Sequence, residues 1–271
     1  MNNHIINLFR RMLGKFMRRT SNPRLSLWRT LFMNFYFLPF EQARKFPIYV
    51  YGKMTVPRLN GKIIVNTPAN ECRKGMIKLN LTGEAPTYQG GNLEIYLANG
   101  KIIFEGETTF LSGSHILIYG NGTLTIGNKA YISNMVNIAC CNRITIGNSS
   151  RVGHEVQLLD TNFHFTFGAS RTVRRNSAPI ELGHHCWIGN RATIMKGVTL
   201  HPYTTISSNS LVNKSVTEQE RSLIGGSPAK LLKHPFSRIF NPKWEGKLYS
   251  AFELNPDLNE QVVEEPLSMY D

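Results

Sequence analysis

The chain has 271 residues, 41% of them hydrophobic and 18% charged, a mix that buries a core and excludes compositional disorder. Lysine and arginine number 31 against 18 acids, a formal charge of +13, and the excess is uneven: residues 1–60 hold eleven bases and one acid, whereas 251–271 hold six acids and no base. Four cysteines, two of them adjacent at Cys140 and Cys141, do not make a disulfide framework and suit a reducing compartment.

Residues 1–55 read as a basic, aromatic, partly helical extension. No segment reaches the roughly 18–20 apolar residues of a spanning helix; Leu25–Phe40 is broken by Arg29 and Asn34 and stopped at Pro39. A basic stretch precedes it, but no small-residue cleavage site follows, so cleavage and export are not expected and the chain is placed in the cytoplasm. Trp28, Phe32, Phe35, Tyr36 and Phe37 with flanking arginines fit a segment lying at the inner face of an anionic membrane. They fit equally a helix packed on the main domain or on a partner subunit, and peripheral membrane contact through residues 1–40 stays open. Nucleic acid ranks behind both, since no recognisable nucleic-acid module accompanies the charge.

Residues 56–114 contain strand-like, turn-bounded segments (GKIIVN, MIKLNL, NLEIYL, GKIIFEG) without a fixed period, read as early, wider coils or a capping sheet. From residue 182 the pattern becomes strict. An aliphatic residue recurs at every sixth position, Leu182, Ile188, Ile194, Leu200, Ile206 and Val212, and four positions after each stands a small or β-branched one, Cys186, Ala192, Val198, Thr204, Ser210 and Val216. The same spacing runs through Ile126, Ile132, Ile138 and Ile144, slips by two, and resumes at Ile146, Val152 and Leu158. Neither the helical nor the strand period explains this. A period of six is one short strand and a corner; three sides make an 18-residue triangular coil, and coils stack about 4.8 Å apart. The expected fold is mainly β, a left-handed parallel β-helix, with one coil over 146–163 and two over 182–217. Its register is interrupted by an excursion over 160–180, and an acidic tail of loop and short helix occupies 233–271.

The stretch ITIGNSSRVGHEVQLLDTNFH, followed by SAPIELGHHCWIGNRATIMKGVTLHPYTTISSNSLVNKSV and IGGSPAKLL, resembles the hexapeptide-repeat acyltransferases. It is most similar to the branch holding maltose, galactoside and capsule or lipopolysaccharide O-acetyltransferases, and the likeness spans roughly residues 115–232. The resemblance implies a homotrimer with sites in the clefts between adjacent prisms, acetyl-CoA as co-substrate, no metal, and a histidine that activates an acceptor hydroxyl.

By position that histidine is His164, with Asp160 in DTNFH to orient it or, on the alternative reading, to cap backbone amides at a corner. Phe165 follows His164 where the sugar acetyltransferases usually have proline. For CoA the resemblance points to Trp187 and Gly189, to Ser207 and Ser208 on the next coil, to Asn213 with Lys214, and to Gly226, Pro228 and Lys230 at the exit, the lysines serving as phosphate contacts. Asn162, Arg171, Arg174 and Arg175 in the excursion are the candidate contacts for a carbohydrate or lipid-linked glycan acceptor, together with His184 and His185, which read first as exposed corner histidines and second as acceptor contacts across the cleft. The three arginines read equally as a solvated loop face. An O-acetyltransferase acting on a sugar hydroxyl in surface-polysaccharide biosynthesis is the expected function. The alternatives are N-acetyl transfer to an amino sugar, a non-catalytic trimeric scaffold and, least favoured, a zinc hydrase, which lacks the closely spaced histidine pair it would need.

Overall fold

The computed structural model describes residues 24–68, 70–82 and 91–262; the bases from Arg10 to Arg19 and the acids Glu264, Glu265 and Asp271 lie outside them. Three sheets close into a left-handed parallel β-helix of triangular section. The first face runs from Ile48–Val50 to Leu223–Gly226, with Ala229–Lys233 added antiparallel at its end. The second runs from Met54–Leu59 to Leu211–Val212, and the third from Lys62–Val65 to Thr199–Leu200.

The strands of 54–111 belong to the same three sheets as the regular hexads, so these segments form wide coils. Their irregular period has a simple origin. On the wide sides two residues point inward, as at Ile116 and Ile118 or Leu124 and Ile126, and strands there repeat at 20 to 22 positions; Lys101 pairs with Thr123 and Thr123 with Arg143. The two-residue slip between Ile144 and Ile146 falls inside one such side, Arg143–Ile146, where both isoleucines are buried. From Trp187 onward each side keeps one inward residue and pairing recurs at 18 positions: Trp187 with Thr205, Thr205 with Leu223. The coil expected over 146–163 closes instead at Ile180–Leu182, because the third side arrives only after the excursion.

Inward residues stack in columns such as Ile138, Leu158, Ile194 and Val212, all fully buried. Each such burial contributes about 1.5–3 kcal/mol.

A solenoid must close its open ends. Helix α1 (Leu27–Phe37) does so at the N-terminal end. Asn34, fully buried within an aromatic run, donates to Ile48 O and accepts from Ile48 N, and the Thr30 hydroxyl accepts from Val50 N. Two side chains thus supply the partners that the edge strand Ile48–Val50 lacks. The opposite side of α1 stays exposed, Trp28 at 84% and Leu27 at 69%. A short helix α2 (Phe40–Ala43) follows, and α3 (Pro242–Leu254) lies in the C-terminal tail. No described helix is long and apolar enough to cross a membrane.

Candidate functional site

The excursion leaves the corner between the second and third faces after Leu159 and returns at Ile180. Asp160 anchors its departure. Its side chain is fully buried, Oδ1 accepts from Cys141 N at 2.7 Å and Oδ2 from Asn142 N at 2.7 Å. Burial pushes its pKa above the ordinary carboxylate range while these amides oppose the shift, and the carboxylate in turn helps burial push the Cys140 and Cys141 thiols up. Asp160 therefore ties the excursion to the coil beneath. Among the described residues it has no hydrogen bond to the His164 ring.

Past Asp160 the arm is held by short antiparallel bridges, Thr161 with Ser177 and Phe167 with Val173. Asn162 N donates to Asn176 O. The chain then turns sharply: His164 N donates to Asn162 O at 2.6 Å, across Phe163 at a φ of 60°. This is a γ-turn, a strained form for a bulky residue, and it presents the His164 side chain exposed. Arg171, Arg174 and Arg175 are exposed along the rest of the arm. Lys196 Nζ donates to Arg175 O at 3.0 Å, fastening the arm to the next coil. Asn213 and Lys214, one coil further at the same corner, are exposed.

The corner between the first and second faces collects Gly189, Ser207, Ser208 and Gly226. A Cβ on Gly189 would lie 2.6 Å from Ile206 O and 2.7 Å from Ser208 N, so only glycine lets these coils approach. Gly226 N donates to Ser210 Oγ, and Pro228 and Lys230 stand exposed at and beyond the hairpin tip. The residues expected along a pantetheine and phosphate path are thus hydroxyls, close backbone and exposed lysines. They occupy two corners of one prism rather than a single groove, however.

The third corner holds the paired histidines. His184 Nδ1 and His185 Nδ1 are 3.0 Å apart, the Tyr203 ring stacks on His185, Arg221 lies 3.9 Å over Tyr203, and Phe240 meets His185 edge-on. Of these contacts only Phe240 comes from the C-terminal tail, which folds back across the first face. Trp187, 38% exposed on that face, faces the tail's Arg238 at 5.1 Å.

Sequence reasoning passed over Lys196, Tyr131, Arg151, Arg238 and Phe240. Tyr131, Arg151 and Trp187 share one signal, since each directly precedes an inward aliphatic and they stack in successive coils. The tail residues carry no period. Among the described residues no group of three or more His, Cys, Asp or Glu side chains is arranged to hold a metal ion.

No family model matches the chain. It is 37% identical over 71 residues to a chloramphenicol acetyltransferase of Morganella morganii, covering 26% of this chain and 33% of that protein. It is 30% identical over 110 residues to WcaF of Escherichia coli (strain K12), described as a colanic acid biosynthesis acetyltransferase, covering 41% of this chain and 58% of that one. The chain thus spans between a third and three fifths of the length of these curated relatives. Among solved structures, the polySia-specific acetyltransferase NeuO superposes with a TM-score of 0.52 at 17% identity, over 81% of this chain and 91% of that chain; at that identity the likeness is one of fold.

Proposed function

We propose that the chain, on its hexad repeats and three-sheet prism, is a hexapeptide-repeat acyltransferase that transfers an acetyl group from acetyl-CoA to a sugar hydroxyl in surface-polysaccharide biosynthesis. The observation that carries the reading is the excursion itself: an arm anchored by buried Asp160, turned at Phe163 and fastened by Lys196, which holds an exposed histidine beside a corner rich in lysine. The sugar substrates named for WcaF and NeuO support the acceptor class.

In this reading an imidazole nitrogen of His164 takes the proton of the acceptor hydroxyl as its oxygen attacks the thioester carbonyl. The same histidine returns that proton to the departing CoA sulfur. Backbone amides at the corner hold the charge that develops on the carbonyl oxygen. Asp160 is a positioning residue: it fixes the corner from which the arm starts and acts on His164 only through the backbone between them. Asn162, Arg171, Arg174 and Arg175 contact the acceptor, with His184 and His185 at the far corner. Trp187, Gly189, Ser207, Ser208, Asn213, Gly226 and Pro228 line the donor path, and Lys214 and Lys230, neither ion-paired among the described residues, receive the phosphates.

A homotrimer gives these separate corners a common cleft, since corners that diverge on one prism converge between two. The apolar tip of the arm, with Phe165 at 66% and Phe167 at 71% exposure, suits burial against a neighbouring subunit. The outward aromatic side of α1 and the basic N-terminal sequence suit the inner face of an anionic membrane. Acetyl-CoA titrated calorimetrically tests the donor assignment. Affinity retained in His164→Ala and reduced about tenfold or more in Lys214→Ala/Lys230→Ala supports the reading, and folded, trimeric wild type without affinity overturns it. Wild-type-like sedimentation with anionic vesicles after deletion of residues 1–40 overturns the membrane contact.

A further inference from the structure

The first face carries a cavity of which Trp187 alone also belongs to the proposed donor path. It holds about 460 Å³, in the size range of small-ligand sites. Its floor is Tyr131, Arg151 and Trp187, outward neighbours in three successive coils. Its roof is Arg238, Phe240 and Glu245, contributed by the tail. Arg238 lies 5.1 Å from the Trp187 ring and 5.4 Å from the Phe240 ring, and Arg151 lies 5.4 Å from Tyr131.

The charges here do not balance. Two guanidiniums line the cavity against one carboxylate, Glu245, which sits 3.5 Å from Arg238 and whose charge also acts on Arg151. Arg151 is half-buried, and desolvation together with Arg238 draws its pKa below the usual guanidinium range. Like charges held together in a partly dry site are costly until an anion lies between them. Guanidinium pairs grip carboxylate or phosphate through forked hydrogen bonds, while the flat faces of tryptophan and tyrosine suit a ring that is apolar on one side and hydroxylated at its edge. Ser133 also lines the cavity and brings a polar side chain for such an edge.

We propose that this cavity binds an anionic sugar unit of the acceptor glycan, its carboxylate or phosphate held between Arg151 and Arg238 and its ring laid against Trp187 and Tyr131. The tail thereby becomes part of the specificity apparatus. That this unit belongs to the acceptor rests on the acetyl-transfer reading; the binding itself does not.

The experiment is calorimetric titration of the full chain with five probes: a uronic-acid oligosaccharide, the neutral oligosaccharide of the same linkage, a hexose phosphate, inorganic phosphate and acetyl-CoA. The variants are Arg238→Gln, placed on the tail outside the prism where it leaves the coil stack intact, and Arg151→Gln/Arg238→Gln. A charged sugar should bind wild type, lose at least tenfold in affinity in the single variant and more in the double, and outbind both its neutral counterpart and inorganic phosphate. Whichever of the uronate and the hexose phosphate binds tighter identifies the anion. The proposal is overturned if no charged sugar binds, if the neutral sugar binds as well, if inorganic phosphate binds as tightly as any sugar, or if acetyl-CoA affinity falls with Arg238, which would give the arginines to the donor. Failure of the transferase reading looks different: acetyl-CoA fails to bind wild type while sugar binding persists.

Discussion

The wide coils before Ile146 and the narrow coils after Leu182 build the same three sheets in different ways. A wide side buries two residues, Ile116 with Ile118 or Leu124 with Ile126; a narrow side buries one, Ile188, Ile194 or Leu200. Each narrow layer therefore depends on three large residues and on small ones at its corners, Cys186, Ala192 and Val198, all fully buried. The difference teaches where function sits. The narrow coils carry glycine, serine and lysine at their corners, as at Gly189, Ser207 and Lys214, and the wide coils link successive corners by asparagine–backbone bonds, such as Asn128 N to Asn148 Oδ1, a ladder that ends on the first narrow coil with His154 N to Asn190 Oδ1.

The sharpest way to break this comparison is to truncate one inward residue of each kind. Ile194→Ala should cost near the top, and Ile116→Ala near the bottom, of the about 2–5 kcal/mol typical of such changes, because Ile118 beside Ile116 remains to fill its layer. Equal losses in chemical denaturation would remove the distinction.

Asp160→Asn tests the joint between prism and excursion. It sets an amide NH2 against a backbone N–H and should cost about 1–3 kcal/mol. The sign of its pH dependence follows from the raised pKa. Folded Asp160 holds its proton more tightly than the unfolded chain does, so its contribution to stability is full below the ordinary carboxylate value and declines as pH rises through the raised one. The substitution should thus cost more at acid pH than at neutral pH; denaturation midpoints with the opposite trend would show that the amide bonds outweigh burial.

A smaller effect separates corner from arm. Gly189→Ala drives a Cβ into Ile206 O and Ser208 N and should lose about 1–3 kcal/mol, while Gly168→Ala, in the arm with nothing within 4 Å, should stay within about 0.5 kcal/mol of wild type. Thermal melting compares them directly. Least in magnitude is thiol access. Burial pushes Cys186 up to about 12 and Cys140 higher still, so a disulfide reagent at mildly alkaline pH should reach half-buried Cys141 before either.

The narrow coils were legible because one inward residue per side prints a strict period of six. Two inward residues per side print a mixed spacing, which is why 56–114 read as strand-like segments without a frame and why the slip at Ile144 and Ile146 looked like an interruption. Asn34 is a different case: a polar residue among aromatics that breaks a membrane segment in sequence proves to be the cap of an exposed strand edge. His164 and Asp160 were singled out by resemblance, from their place after the last regular hexad; that Asp160 would be buried on the backbone amides of Cys141 and Asn142 was only one of two readings the sequence left open. The cavity under Arg238 and Phe240 was not, since nothing in the spacing of the tail says which face it crosses.

The central claim is tested most directly by thiol release from acetyl-CoA in the presence of a panel of neutral and charged oligosaccharides, with wild type and His164→Ala compared at saturating donor. The account predicts release that requires an acceptor and falls about 10²–10⁴-fold without the histidine, with donor affinity unchanged. Equal rates in the two proteins, or release indifferent to every sugar, would contradict it.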